Sequence, residues 1–323
     1  MVVDTLKLLS RRGLLGAGAA LAVPGIALAA DVAAPDAAAP PVAPKPPVPA
    51  EPAVVEASAS AVKRPRRPWT LARYTQAMEE SGRPTTISQT EFDAIQARKP
   101  AAMKLIEGYL KAHFGSVDPT VMTAFEEVPR EYYHYMYADH VAAPAEAYET
   151  TPKPWAIGYG SALSDYLGQA YMTQLLNPKP GMTSLEVGTG SGFQSSLLSR
   201  IVDHAYSIEI IQPLGHAVSH IFKPLGYDNV STRVGDGYYG WPEVKDGFDV
   251  IIVTCAAEYA PPELFKQLKP RGRMIIPIGQ PFKRGQVLYV YTKDEHGKIH
   301  SRRDVGVFFI PMTGAIQKQP KAT

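Results

Sequence analysis

Residues Ser184 to Phe193 read Ser-Leu-Glu-Val-Gly-Thr-Gly-Ser-Gly-Phe, and no other stretch restricts the fold of this chain as much. A short apolar run carrying Glu186 leads into three closely spaced glycines, Gly188, Gly190 and Gly192, and a helical pattern follows from about Gln194 to Ile201. Glycines let the backbone take positive φ and let a ligand approach the main chain. The start of the helix beyond them supplies free N–H groups. A strand, glycine loop and helix in this order predict a nucleotide-like ligand.

The spacing narrows the ligand. A dinucleotide fingerprint, G-x-G-x-x-G/A, needs a small third residue for helix–strand packing. Phe193 stands at that place and breaks the pattern. Instead an acid, Glu186, precedes the first glycine by two residues, and a second acid, Glu209, closes the next apolar run, Ala205-Tyr-Ser-Ile-Glu-Ile. An acid at the end of the second strand suits ribose hydroxyls. A carboxylate beside the loop suits a cationic ligand better than a pyrophosphate. The pair points to S-adenosylmethionine, a nucleoside carrying positive charge.

The rest of the folded region follows the same logic. Strands are expected at 183–187, 205–210, 230–234, 248–254, 273–278, 286–292 and 305–310, with helices near 194–201, 214–225 and 262–268. This alternation implies an α/β fold with a seven-stranded, mostly parallel sheet and helices on both faces. Ligands of such sheets bind at the carboxyl ends of the strands near the switch in strand order. That rim gathers Glu186 to Gly192, Glu209, Asp236 and Thr254, and Asp236-Gly237, after the third strand, is placed to meet an adenine amino group. Upstream the pattern is helical: a run from Trp69, a second start at Ser88 with Glu91 in capping-box spacing, a third run from Ala101 to Phe114, and a short helix after Asp118-Pro119.

The amino terminus is of another kind. Ser10-Arg-Arg-Gly-Leu-Leu, a Gly/Ala/Leu run and Ala27-Leu-Ala read as a twin-arginine export signal over residues 1–30, giving a periplasmic location with no membrane span after cleavage. Residues 31–68 hold ten prolines, eleven alanines and no aromatic, the composition of a disordered tether. The folded part then divides into a helical region, 69–150, and a catalytic domain, 151–323.

Composition excludes several classes. Without Lys7, Arg11, Arg12 and Asp4 of the signal, thirty basic and thirty acidic residues remain, which argues against a nucleic-acid binder. Cys255, the single cysteine, lies in an apolar run and reads as a buried, inert thiol. His216 and His220, four apart on an expected helix, lack the glutamate of a zinc-peptidase motif, so no metal is expected. Nothing in the pattern calls for a second copy, and a monomer is expected.

Several segments together resemble the protein-L-isoaspartate (D-aspartate) O-methyltransferase family. They are Leu185-Glu-Val-Gly-Thr-Gly-Ser-Gly-Phe-Gln, Tyr206-Ser-Ile-Glu-Ile-Ile, Gly226-Tyr-Asp-Asn-Val, Val234-Gly-Asp-Gly-Tyr with Gly240-Trp-Pro, and Phe248-Asp-Val-Ile-Ile-Val-Thr. Leu268-Lys-Pro-Arg-Gly-Arg-Met-Ile-Ile-Pro-Ile-Gly, Val128-Pro-Arg-Glu, Ala147-Tyr-Glu and Phe309-Ile-Pro-Met belong to the same pattern, which covers roughly Ala101 to Gly314. The resemblance implies a Rossmann-like S-adenosylmethionine-dependent fold. It implies that Glu186, Gly188, Gly190 and Gly192 cradle the cofactor, that Glu209 holds its ribose, and that Asp236 and Gly237 lie at its adenine. It also implies methylation of isoaspartyl α-carboxylates in damaged proteins, the first step of their repair through a succinimide.

The acceptor side departs from the pattern. A family segment resembling Gly-x-Gly-x-Thr-Ile-Ser, followed by a small or polar residue and Pro, is here Gly158-Tyr-Gly-Ser-Ala-Leu-Ser-Asp-Tyr. Ser164 is kept and is implied to be the catalytic donor. Ala162 replaces the threonine, and Asp165 and Tyr166 replace the following pair. An inward-facing Asp165 would repel a carboxylate, so Ala162, Asp165 and Tyr166 are expected to shape the acceptor pocket. Two other readings stay open: a methyltransferase for another peptide or small-molecule carboxylate, and an exported binding protein that keeps the fold without catalysis.

Overall fold

The computed structural model describes residues 68–280 and 285–318. The expected export signal and nearly all of the Pro/Ala-rich tether lie outside the described residues.

The chain opens with helix α1 (Leu71–Glu80), followed by α2 (Gln89–Phe114) and α3 (Pro119–Glu127). Ser88 caps α2 with the full reciprocal capping box, its hydroxyl accepting from Glu91 N while the Glu91 carboxylate accepts from Ser88 N. The sequence predicts two helices across residues 88–114, but the structure runs a single one through Pro100. A proline inside a helix removes one backbone hydrogen bond and costs about 3 kcal/mol. Phe92, Ile95, Ala102, Ile106 and Leu110 are all buried along one face on both sides of it. Burying a large apolar side chain is worth about 1.5–3 kcal/mol, so the shared face outweighs the break.

Two short hairpins follow, β1 (Tyr135–Met136) with β2 (Val141–Ala142), and β3 (Trp155–Gly158) with β4 (Ser161–Leu163). Helix α4 (Tyr166–Leu176) leads into β5 (Thr183–Val187), α5 (Phe193–Ser199), β6 (His204–Glu209), α6 (Gln212–Ser219) and β7 (Val230–Val234). Then come β8 (Phe248–Val253), α7 (Pro262–Gln267), β9 (Leu268–Ile278), β10 (Gln286–Lys293) and β11 (Ile299–Val307). Strands β5 to β11 form a seven-stranded sheet in the order β11-β10-β9-β8-β5-β6-β7. The pairs from β9 to β7 are parallel, and β10 and β11 add antiparallel. The order reverses between β5 and β8, with β6 and β7 added on one side of β5 and β8 on the other, which places the glycine loop after β5 at the switch point.

Several element boundaries differ from expectation, among them the start of β9, which begins at Leu268 instead of 273. Helix α6 stops at Ser219, and a separate 3-10 turn, Lys223–Leu225, contains Pro224, which cannot extend a helix. The last strand is Ile299–Val307 instead of 305–310. Its outer residues, His300, Ser301, Arg302 and Arg303, are exposed, the polar signature of an edge strand. The chain therefore leaves the sheet before Phe309 and crosses back toward the middle. Ala256 N donates to Ile310 O (2.8 Å) and Met312 N to Ala256 O (2.7 Å).

The helical region shares its core with the sheet. Tyr74, Ile106 and Tyr132 pack in one buried cluster with Phe193, Leu198 and Ile252. Tyr133 Oη donates to Ser196 Oγ (2.7 Å) and Tyr132 Oη to Ile221 O (3.0 Å). Helices 69–150 and the sheet thus fold as one packed body.

Candidate active site

The loop after β5 is fixed by backbone bonds before any side chain contributes. Gly188 N and Thr189 N both donate to Ile208 O, at 2.8 and 3.2 Å. Thr254 Oγ1 lies within reach of Val187 O (3.0 Å) and Gly188 O (2.7 Å) from the neighbouring strand end. Gly190 has φ +53, and a Cβ built there would lie 3.7 Å from Ser161 Oγ, on the wall of the site. Gly192 has φ +81 and a different task. A Cβ there would lie 2.5 Å from Ile221 Cδ1 and 3.0 Å from Phe222 and Val218, so Gly192 lets α5 pack closely against the segment after α6. It does not line the cavity, whereas Gly188 and Gly190 do.

The two acids sit where the strand ends bring them. Glu209 Oε2 accepts from Gly190 N (2.8 Å) and its Oε1 from Ile211 N (2.9 Å), so this carboxylate ties the glycine loop to the start of α6. Glu186 is almost fully buried and accepts from Ser195 Oγ and, at 2.9 Å, from Ser207 Oγ. Ser207 Oγ in turn meets Thr189 Oγ1 at 2.7 Å. Burial pushes the Glu186 carboxyl up to about 8, against the pull of the two serine hydroxyls, and the nearby Glu209 adds to the rise. Burial also pushes Glu209 up, against the two backbone N–H groups it accepts from.

These groups face a cavity of about 560 Å³, a size suited to a nucleoside-sized ligand. Its wall is formed by the glycine loop, Ile208 to Ile211, Gly237, Thr254 and Cys255, the β3–β4 hairpin from Tyr159 to Ser164, Gln169 and Met172 of α4, and the segment Phe309–Thr313. No lysine or arginine stands on that wall among the described residues, and its carboxyl groups are Glu186 and Glu209. A site whose only charges are acids favours a cation. The Glu186 and Glu209 carboxyls, the glycine backbone at Gly190 and the absence of basic groups on the wall fit a sulfonium nucleoside and not a polyphosphate. Cys255, expected to be buried, is only half-buried and lines the cavity; its surroundings raise the thiol well above its ordinary value, which keeps it neutral.

Two expected site residues lie elsewhere. Asp165 is the N-cap of α4: its Oδ1 accepts from Gly168 N (2.8 Å), and it is absent from the cavity wall. Tyr166 turns the other way, with Oη donating to Glu149 O (2.6 Å). The departures at Asp165 and Tyr166 therefore do not put a charge or a ring into the pocket, while Ala162 and Ser164 do line it. Asp236 is also off the wall. It accepts from Tyr238 N (2.9 Å) and Ala315 N (2.6 Å), pinning the C-terminal segment, and only Gly237 faces the cavity.

The structure adds groups that sequence reading missed. Ser195 and Ser207 left a local trace, as polar residues in otherwise apolar elements next to Glu186. Gln169 and the Phe309–Thr313 segment left none, because only the fold brings them to the wall.

A family profile described as Protein-L-isoaspartate(D-aspartate) O-methyltransferase matches residues 102–317. The chain belongs to this family. A protein-L-isoaspartate O-methyltransferase 2 of Syntrophobacter fumaroxidans is 46% identical over 199 residues, 62% of this chain and 77% of the relative. A protein-L-isoaspartate O-methyltransferase 1 of Nitrosospira multiformis is 40% identical over 252 residues, 76% of this chain and 98% of the relative. Among solved structures, a protein-L-isoaspartate O-methyltransferase superposes with TM-score 0.58 at 26% identity, covering 68% of this chain and 67% of its own. A Plasmodium falciparum family structure in complex with S-adenosyl-L-homocysteine gives TM-score 0.52 at 25% identity, covering 65% of this chain and 97% of its own. Among the described residues no group of His, Cys, Asp or Glu is placed to hold a metal ion, and no helix is long and apolar enough to cross a membrane.

Proposed function

We propose that this protein methylates the α-carboxylate of L-isoaspartyl and D-aspartyl residues in damaged polypeptides, with S-adenosylmethionine as donor. The observation that carries the reading is the acid-walled, base-free cavity that opens onto Ser164, in a chain that belongs to a family of that activity. Glu186, Gly188, Gly190, Glu209 and Gly237 would hold the cofactor. When bound, it supplies a sulfonium methyl to which a carboxylate oxygen would bond as the C–S bond breaks, the electron pair of that bond staying on the departing sulfur. A carboxylate with an ordinary value near ~4 is ionised at neutral pH, so the acceptor needs no general base. The protein's task is alignment, which can supply about 7–11 kcal/mol. Ser164, on the wall beside the loop, is the donor that orients the acceptor.

The test is methyl transfer from labelled S-adenosylmethionine to an isoaspartyl peptide and to its aspartyl twin. Base-labile label on the isoaspartyl peptide alone is expected, and Ser164→Ala lowers turnover with little change in cofactor affinity. Label on neither peptide, despite measurable cofactor binding, refutes the reading. The twin-arginine signal read at Ser10–Leu15 would carry the enzyme out of the cytoplasm already folded. An unchanged location for Arg11→Lys/Arg12→Lys on fractionation rules that signal out.

A further inference from the structure

A carboxylate presents two oxygens, and Ser164 offers one hydroxyl. Ala162 has no donor, and Asp165 and Tyr166 face away. Among the other polar side chains on the wall, Gln169, buried on α4 one turn beyond the cap, is tied to the same cation as Ser164. Its Oε1 accepts from Arg130 Nη1 at 2.7 Å. The same guanidinium donates through Nη2 to Ser164 O at 2.6 Å. Arginine carries only donors, so the amide must turn its oxygen toward Arg130 and its NH2 away from it. That NH2 makes no hydrogen bond to any described residue, yet it belongs to a side chain on the cavity wall.

Arg130 is itself buried beneath the site and stacks its guanidinium over Phe193, 4.9 Å from the ring centroid. Burial pushes it down to about 10, with Asp165 opposing the fall, so it stays charged at neutral pH. One planar cation therefore fixes the main chain at Ser164 and the amide of Gln169 together.

We propose that Gln169 is the second donor to the acceptor carboxylate, its free amide N–H acting beside the Ser164 hydroxyl, and that Arg130 is the positioning residue that aims both. The inference rests on the carboxyl-acceptor reading above and adds the group that selects the acceptor.

The test uses the full chain with an isoaspartyl peptide, following KM and kcat, and direct peptide binding by fluorescence anisotropy in the presence of S-adenosylhomocysteine. Gln169→Glu keeps a partner for Arg130 but sets a carboxylate against a carboxylate. Gln169→Leu keeps the volume and removes the donor. A lost hydrogen bond to a charged group corresponds to about 10- to 100-fold in affinity. Both variants are expected to weaken peptide binding by that factor at saturating S-adenosylhomocysteine, Gln169→Glu the more. Arg130→Lys retains the charge but not the two-pronged fork, and is expected to raise the peptide KM while cofactor affinity holds. If wild type methylates the isoaspartyl peptide and the Gln169 variants bind it as tightly as wild type does, this inference alone falls. If wild type methylates no such peptide, the functional reading falls and this one with it. An Arg130→Lys protein that melts earlier but keeps its peptide KM removes Arg130 from the positioning role.

Discussion

Glu186 makes the cofactor pocket dependent on pH in a way that can be measured before any turnover. Its carboxyl, ordinarily at 4.5, is pushed to about 8 by burial. The difference corresponds to about 5 kcal/mol of disfavoured ionisation. Because the folded carboxyl keeps its proton to higher pH than the unfolded one, its share of stability is intact below pH 4.5 and is withdrawn as the pH rises through about 8. Between pH 6 and pH 9 the withdrawn part grows from about 2 to about 5 kcal/mol. The resulting loss, about 3 kcal/mol, lowers the melting temperature by about 6–12 °C for a body of this size. Glu186→Gln removes the titration and keeps an oxygen for the Ser195 and Ser207 hydroxyls, so its melting temperature changes less over the same range. At pH 7 about nine in ten folded molecules hold the proton. A cationic ligand in the cavity favours the ionised form, so S-adenosylmethionine binding at pH 7 releases close to one proton per site. Calorimetry in buffers of different ionisation heat reads that release, and Glu186→Gln abolishes most of it. Parallel melting profiles for the two proteins, or a binding heat independent of buffer in the wild type, would refute the buried-acid argument.

Three further outcomes follow from the geometry. Gly192→Ala forces a side chain into the left-handed region and against Ile221 Cδ1 at 2.5 Å, and costs about 2–4 kcal/mol; an unchanged urea midpoint would show that α5 can retreat freely. Asp165→Ala removes the α4 cap, worth about 1 kcal/mol, and also the charge that opposes the burial of Arg130, so it costs more than the cap alone, with no gain in turnover on isoaspartyl peptide; a rise in turnover would mean that the carboxylate faces the acceptor after all. Tyr159 holds φ +54 in the two-residue turn of the β3–β4 hairpin, where asparagine before glycine is preferred. Tyr159→Asn is therefore expected to raise stability by about 0.5–1 kcal/mol in thermal melts, and no rise would remove the strain argument.

What sequence could reveal here depended on how local the physical cause was. Strands β5, β6 and β8 are buried on both faces, so they read as apolar runs and their ends came within a residue or so of the expected ones. The glycine loop was equally legible, because the backbone itself forms the cradle. Strand β11 was not, since an edge strand with exposed His300 to Arg303 carries no alternation to find. The separation expected between the run after Ser88 and the run from Ala101 is bridged by a buried face that only the packed fold supplies. Asp165 misled for a different reason. An aspartate at a helix cap and an aspartate in a pocket have the same letters around them, and only the position of Gly168 N separates the two.

The departures at 162–166 and the buried cation at 130 belong to one arrangement. Asp165 starts α4, so the helix begins immediately after Ser164 and carries Gln169 up to the cavity wall. Its charge opposes the burial cost of Arg130, whose fork then reaches both Ser164 O and Gln169 Oε1. Removing any one member leaves a buried charge or a buried amide without its partner, which is costly in a low-dielectric interior. The segment adds no base and no charged side chain to the cavity wall. On the carboxyl-acceptor reading proposed above, this support bears on how the carboxylate is aimed, not on which functional group is methylated.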